Sequence, residues 1–125
     1  MEETKNCYSC GNKKNLIFAC SGGADVGELS DRVAREMAQN NRGKMYCLAG
    51  IGGRVSGILK TTSEANSIIA IDGCPMDCTK KCLEEAGFNS YSHIRITDLG
   101  YEKGKTSTSA ETIQSVIDKS DVFGN

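Results

Sequence analysis

Apolar residues recur along this chain in two alternating rhythms. Short apolar runs at 16–20, 44–49 and 67–71 each stop at a glycine-bearing turn, and stretches of helical period lie between them. Over 24–39, Val26, Leu29, Val33 and Met37 fall on one helical stripe, while Glu28, Asp31, Arg32, Arg35 and Glu36 supply a wet face. Asn40-Asn41-Arg42-Gly43 then ends the helix, since asparagine and glycine tolerate left-handed backbone. A short helix is predicted at 54–59, and Thr61 with Glu64 has the spacing of a capping box opening a further turn. The run at 67–71 is apolar throughout rather than alternating, which predicts a strand buried on both faces. Pro75 suits the first turn of a helix over 75–86, with Gly87 past its end. The alternation at 93–99 predicts a fourth strand, and Thr108 with Glu111 predicts the start of a last helix over 108–117.

Strands alternating with helices call for right-handed crossovers. The expected fold is therefore α/β: a small three-layer sandwich with a four-stranded, mainly parallel sheet and helices on both faces, Rossmann-like or flavodoxin-like. The 125 residues suffice for one domain with its own core. Residues 1–14 read as a polar arm carrying Cys7-x-x-Cys10, residues 15–118 as the domain and 119–125 as a tail. In such a sheet the carboxyl ends of the strands share one rim, where ligands bind.

Charge narrows the function. Fifteen basic and sixteen acidic residues give a net charge of −1, which leaves no electrostatic footprint for nucleic acid. No apolar run approaches the roughly 20 residues of a membrane span. The opening Met-Glu-Glu-Thr-Lys-Asn lacks the apolar core of a signal peptide, so a cytoplasmic location is expected. Seven cysteines in a reducing compartment then point to metal or redox work rather than disulfides, and their odd number agrees.

Cys20, Cys47 and Cys74 each stand at or just past the end of a predicted strand, and so on the same rim. Structural zinc takes four thiolate or imidazole ligands with Zn–S near ~2.3 Å, and neighbouring strands lie ~4.8 Å apart. Thiols from adjacent strand ends can therefore converge on one ion. Cys78, one turn beyond Cys74, completes a four-thiol set of Cys20, Cys47, Cys74 and Cys78. The positive end of the predicted helix is expected to favour thiolate there and lower the thiol pKa. Cys82, a further turn down, reads as core-facing or spare, and Cys7-x-x-Cys10 as a cover for the rim, half of a second site, or a reactive arm.

Other polar residues carry less. Asp72 either stands behind the thiols or simply ends its strand; His93, the single histidine, is expected at the far end of its strand in a plain surface or core role. Asp98 reads as a turn residue near the rim, and Lys80, Lys81, Lys103 and Lys105 as solvated charges that can offset a tetrathiolate. The loop Ser21-Gly-Gly-Ala-Asp-Val-Gly27 lacks the lysine and spacing of a phosphate-binding loop.

Cys20-Ser-Gly with Asp25-Val-Gly27, Cys47-Leu-Ala-Gly-Ile-Gly52, Ile71-Asp-Gly-Cys-Pro-x-x-Cys78 and Thr97-Asp-Leu-Gly100 resemble the DGC-domain family in its own order, over about residues 15 to 118. The resemblance implies zinc as the cofactor, and the family's four characteristic cysteines fall on Cys20, Cys47, Cys74 and Cys78. It implies little about biological role. Three functions compete: a zinc-binding domain with a structural or metal-handling role, a thiol redox or sulfur-transfer protein, and an iron–sulfur protein using the same cysteines. No paired base accompanies the thiols, which weakens hydrolase and transferase readings. The expected partner is a metal ion, with neither nucleic acid nor membrane.

Overall fold

A computed structural model describes residues 14–120. The Cys7-x-x-Cys10 arm and residues 121–125 lie outside them. In chain order the elements are β1 (Asn15–Ala19), α1 (Asp25–Gln39), β2 (Lys44–Met45), α2 (Leu48–Gly52), α3 (Ser56–Ser63), β3 (Ser67–Asp72), α4 (Cys78–Glu85), β4 (Ser92–Arg95), a 3-10 turn (Ile96–Leu99) and α5 (Ala110–Lys119). The four strands form one parallel sheet in the order β2-β1-β3-β4. That order makes the sheet doubly wound, with its switch point between β1 and β3.

One apolar layer joins Ile17, Ile69 and Ile71 of the sheet to Val26, Leu29, Val33 and Met37 of α1 and Val116 and Ile117 of α5. The other face, Leu16, Phe18, Ile68 and Ala70, packs against Ile51 and Leu83 of α2 and α4. Residues Ile68 to Ile71 are all buried, as a central strand covered on both sides requires. The three-layer α/β sandwich is thus what the alternation of patterns implied.

Several boundaries differ from expectation. The second strand stops after Met45, because Cys47 caps α2 and Ile51 turns into the core instead of continuing the ladder. The next helix begins at Ser56 rather than Arg54: Arg54 takes left-handed backbone, φ 60°, and its guanidinium closes the carbonyls of Ile51 and Gly52. Thr61 lies inside α3 and opens no new turn, and Glu64 is the C-cap. Pro75 precedes the fourth helix, which starts only at Cys78, because Asp77 at φ 56° breaks the helical path. The predicted 93–99 strand ends at Arg95 and tightens into the 3-10 turn. The last helix is capped by Ser109, whose hydroxyl accepts the Thr112 N–H, not by Thr108, and it runs on through Lys119 into the expected tail.

Candidate metal centre

β1, β2 and β3 are neighbours and parallel, so the residues that follow them emerge side by side. Cys20 lies just past β1, its N–H bonded to the Ile71 carbonyl of β3 at 3.1 Å. Cys47 follows the Tyr46 N–H to Ile17 carbonyl bond that closes the short β2 ladder. Cys74 follows β3, and Cys78 opens α4. Cys20 and Cys74 thereby flank the switch point, where doubly wound sheets hold their ligands.

The Asp-Gly-Cys segment is built by packing. Asp72 is 1% exposed and its carboxylate caps a helix seven residues away: Oδ1 accepts the Thr79 N–H at 2.7 Å, and Oδ2 the Lys80 N–H at 3.1 Å. His93 Nε2 completes the shell of Oδ2 at 2.8 Å. Gly73 lies so close to α1 that a Cβ there would fall 2.7 Å from the Val26 carbonyl group and 2.9 Å from the Gly27 N–H. Asp72 thus fixes the helix carrying Cys78 and Cys82, and Gly73 lets Cys74 reach the rim beside α1. Asp72 does end its strand, as one reading of the sequence had it, and it also organises α4.

That cap overturns one expectation. The Cys78 thiol is pushed above its ordinary value, first by partial desolvation, then by the negative charge of Asp72 and of the Cys20, Cys74 and Cys82 thiols. The helix end was expected to lower it, but partial burial raises it first, and the Asp72 carboxylate that accepts the Thr79 and Lys80 N–H groups raises it further.

The thiols share the rim without forming a compact cage. Among the described residues no three cysteine sulfurs lie within 4.8 Å of one another. Cys20, Cys47 and Cys82 line one cleft of about 730 Å3, with Asp31 and Arg35 at its border. Cys74 instead packs toward the α1 and α5 layer, where Lys103 Nζ stands 3.8 Å from its sulfur. Cys47 and Cys78 are exposed, and Cys20, Cys74 and Cys82 are half-buried; all five are free thiols. The donor chemistry suits a soft ion, and tetrahedral coordination requires the thiol-bearing side chains and loops to draw together.

The grouping that is tight was missed in the sequence. Asp72, Asp77 and His93 present ligand atoms within 4.8 Å of one another. His93 lies in the amino half of β4, as expected, but not in a plain role: its register partner is Ala70, and its ring reaches diagonally to Asp72 Oδ2 and lies 3.7 Å from Asp77 Oδ1. The group is nonetheless a poor cation site, because its oxygens are already used. Arg95 grips Asp77 with two bonds of 2.9 and 2.7 Å and adds a third to Asp98. The only signals available beforehand were the aspartates at 72 and 77 and the alternation that puts His93 and Arg95 on one face of their strand.

Asp25 guards the other side of the rim. Its carboxylate accepts the Gly104 and Thr106 N–H groups at 2.9 Å each, as well as the Val26 N–H, and so folds the 100–106 loop toward Cys74. This acid at the start of α1 also fills the helix end that a phosphate would need. The Gly104 and Thr106 bonds hold the Asp25 carboxyl below the ordinary carboxylate range. A lowered folded-state pKa means the tether is fully present above the unfolded value and fades as pH falls through the folded one. The Gly104 and Thr106 amide resonances should therefore titrate together at a pH below that of a free aspartate, and lose that titration in Asp25→Asn. Amides that move only at the ordinary carboxylate pH would refute the tether.

A doubly wound parallel sheet with cysteines at three adjacent strand ends defines the class: a small α/β protein with a thiol-bearing switch point. The chain belongs to the DGC domain family, whose model matches residues 16–120. It is 32% identical over 88 residues to the anaerobic and virulence modulator AnvM of Pseudomonas aeruginosa, covering 70% of this chain and 67% of that protein. No solved structure matches the chain. No helix among the described residues is long and apolar enough to cross a membrane.

Proposed function

We propose that this protein binds zinc through Cys20, Cys47, Cys74 and Cys78 and serves in metal handling. The observation that carries the reading is topological: three of these residues follow three adjacent parallel strands, and the fourth opens the helix leaving the last of them. Handling is favoured over a structural staple because both faces of the sheet carry complete apolar layers with no thiol at their centres.

Elemental analysis of anaerobically purified protein tests this. About one zinc per chain is expected, lost or weakened in Cys20→Ser, Cys47→Ser and Cys78→Ser, with far-UV circular dichroism unchanged after chelation. A colourless protein that takes up no zinc would dismiss the reading, and a brown one containing iron and sulfide would replace it with a cluster.

A further inference from the structure

The cleft at the ends of β1 and β2 is far larger than an ion needs, and its lining carries a recognition chemistry that zinc binding leaves unused. Its volume of about 730 Å3 lies within the roughly 300–1,000 Å3 typical of small-molecule sites. Met45, Tyr46 and Leu48 give it an apolar lining beside Cys47. The three thiols on its border are in different states. Cys20 is half-buried with its sulfur 3.2 Å from the Ser30 hydroxyl, and Cys82 is half-buried against the layer of Ile51 and Leu83. Cys47 is exposed, and among the described residues nothing bonds its sulfur. It is the thiol best placed to meet a molecule seated in the cleft.

Another part of the wall holds a cation in place. Ser30 is wholly buried; its hydroxyl donates to the Gly27 carbonyl at 2.7 Å and accepts the Ser21 N–H at 3.4 Å. Ser21 lies in left-handed backbone, φ 52°, and donates its own hydroxyl to Asp31 Oδ1 at 2.8 Å. A serine rarely adopts that backbone, and here bonds from its amide and its side chain fix it. Asp31 Oδ2 in turn accepts the Arg35 Nε–H at 2.7 Å. Only that edge of the guanidinium is used: among the described residues its two terminal nitrogens have no partner. Such a fork, oriented at Nε and free at its other edge, suits a carboxylate.

We infer that the cleft is a thiolation site for an anionic low-molecular-weight disulfide: Arg35 takes a carboxylate of the reagent, and Cys47 accepts one of its halves. This stands apart from the zinc reading, because it needs one free thiol and no ion. The deprotonated Cys47 sulfur attacks one sulfur of the bound disulfide, and a new S–S bond forms as the reagent's own S–S bond breaks. The other half leaves as a thiolate and takes up the proton that Cys47 gave to water. Cys47 is oxidised and the departing half is reduced, so no further oxidant is consumed. A free small thiol reverses the step.

Glutathione disulfide, which carries net negative charge, and cystamine, which carries amines alone, test the inference on the full chain. Cys78 is also exposed but does not line the cleft, so the ratio of Cys47 to Cys78 modification cancels the different intrinsic reactivities of the two reagents. Read by peptide mass spectrometry, that ratio should be several-fold higher with glutathione disulfide than with cystamine. Arg35→Gln should bring the two ratios together, and Arg35→Lys should keep part of the preference. A parallel series with chelator allows for an ion on the thiols, and the preference in either series supports the site. Equal ratios for the two reagents in both series, or a preference that survives Arg35→Gln, would overturn the inference and leave zinc binding standing. Protein that takes up no zinc yet shows the preference would separate the two the other way.

Discussion

Asp72→Ala should lower the stability by about 3 kcal/mol, the sum of a lost helix cap and of charge-assisted bonds left unmade in a buried place. The residue is 1% exposed, and two α4 N–H groups and His93 converge on its carboxylate. Removing it strands those donors where little water can replace the acceptor. For a domain of this size the melting temperature should fall by roughly 9–14 °C. Urea denaturation is the cleaner measurement, since an altered midpoint at constant slope isolates stability from a change in compactness. Asp72→Asn should recover part of the loss, because one amide oxygen still serves the Thr79 N–H. A loss below about 1 kcal/mol in the alanine variant would mean that the carboxylate does not hold α4 in place.

Gly73→Ala should be as damaging for a different reason. Its methyl group would sit 2.7 Å from the Val26 carbonyl carbon and oxygen and 2.9 Å from the Gly27 nitrogen, all backbone atoms that cannot turn aside. Either the first turn of α1 or the β3 end must shift, at about 3 kcal/mol or with loss of soluble protein. The neighbouring loop supplies its own control. Nothing lies within 4 Å of a Cβ on Gly23, so Gly23→Ala should change stability by less than about 0.5 kcal/mol. Equal melting temperatures for the two variants in differential scanning fluorimetry would contradict the close approach.

The layered fold was legible because burial writes itself into periodicity. The unbroken Ile68-Ile-Ala-Ile71 run and the stripe of Val26, Leu29, Val33 and Met37 leave few alternatives, and both landed in the core as read. The common rim followed from topology rather than from any local signal. Boundaries were less readable. The 44–49 run has the same apolar character whether Tyr46 and Leu48 continue a strand or turn onto a helix, and only tertiary packing of Ile51 decides it. Pro75 marks a helix start in general, yet Asp77 in left-handed backbone delays that start to Cys78. The Asp72–His93 and Asp77–Arg95 pairings join β3 and its following turn to β4, so no spacing along the chain could announce them. Among the thiols, sequence read Cys82 as core-facing or spare; it packs against the layer of Ile51 and Leu83 and also borders the cleft with Cys20 and Cys47.

None of the five described cysteines is fully buried, and only Cys74 and Cys82 pack against the two apolar layers. Conformational integrity and sulfur content are therefore separable traits in this architecture. A lineage could shed thiols one at a time and keep a folded scaffold, or gather others on the same ledge to suit a different ion. The Asp-Gly pair ahead of Cys74 has no such freedom, since one residue anchors a helix and the other has no room for a side chain.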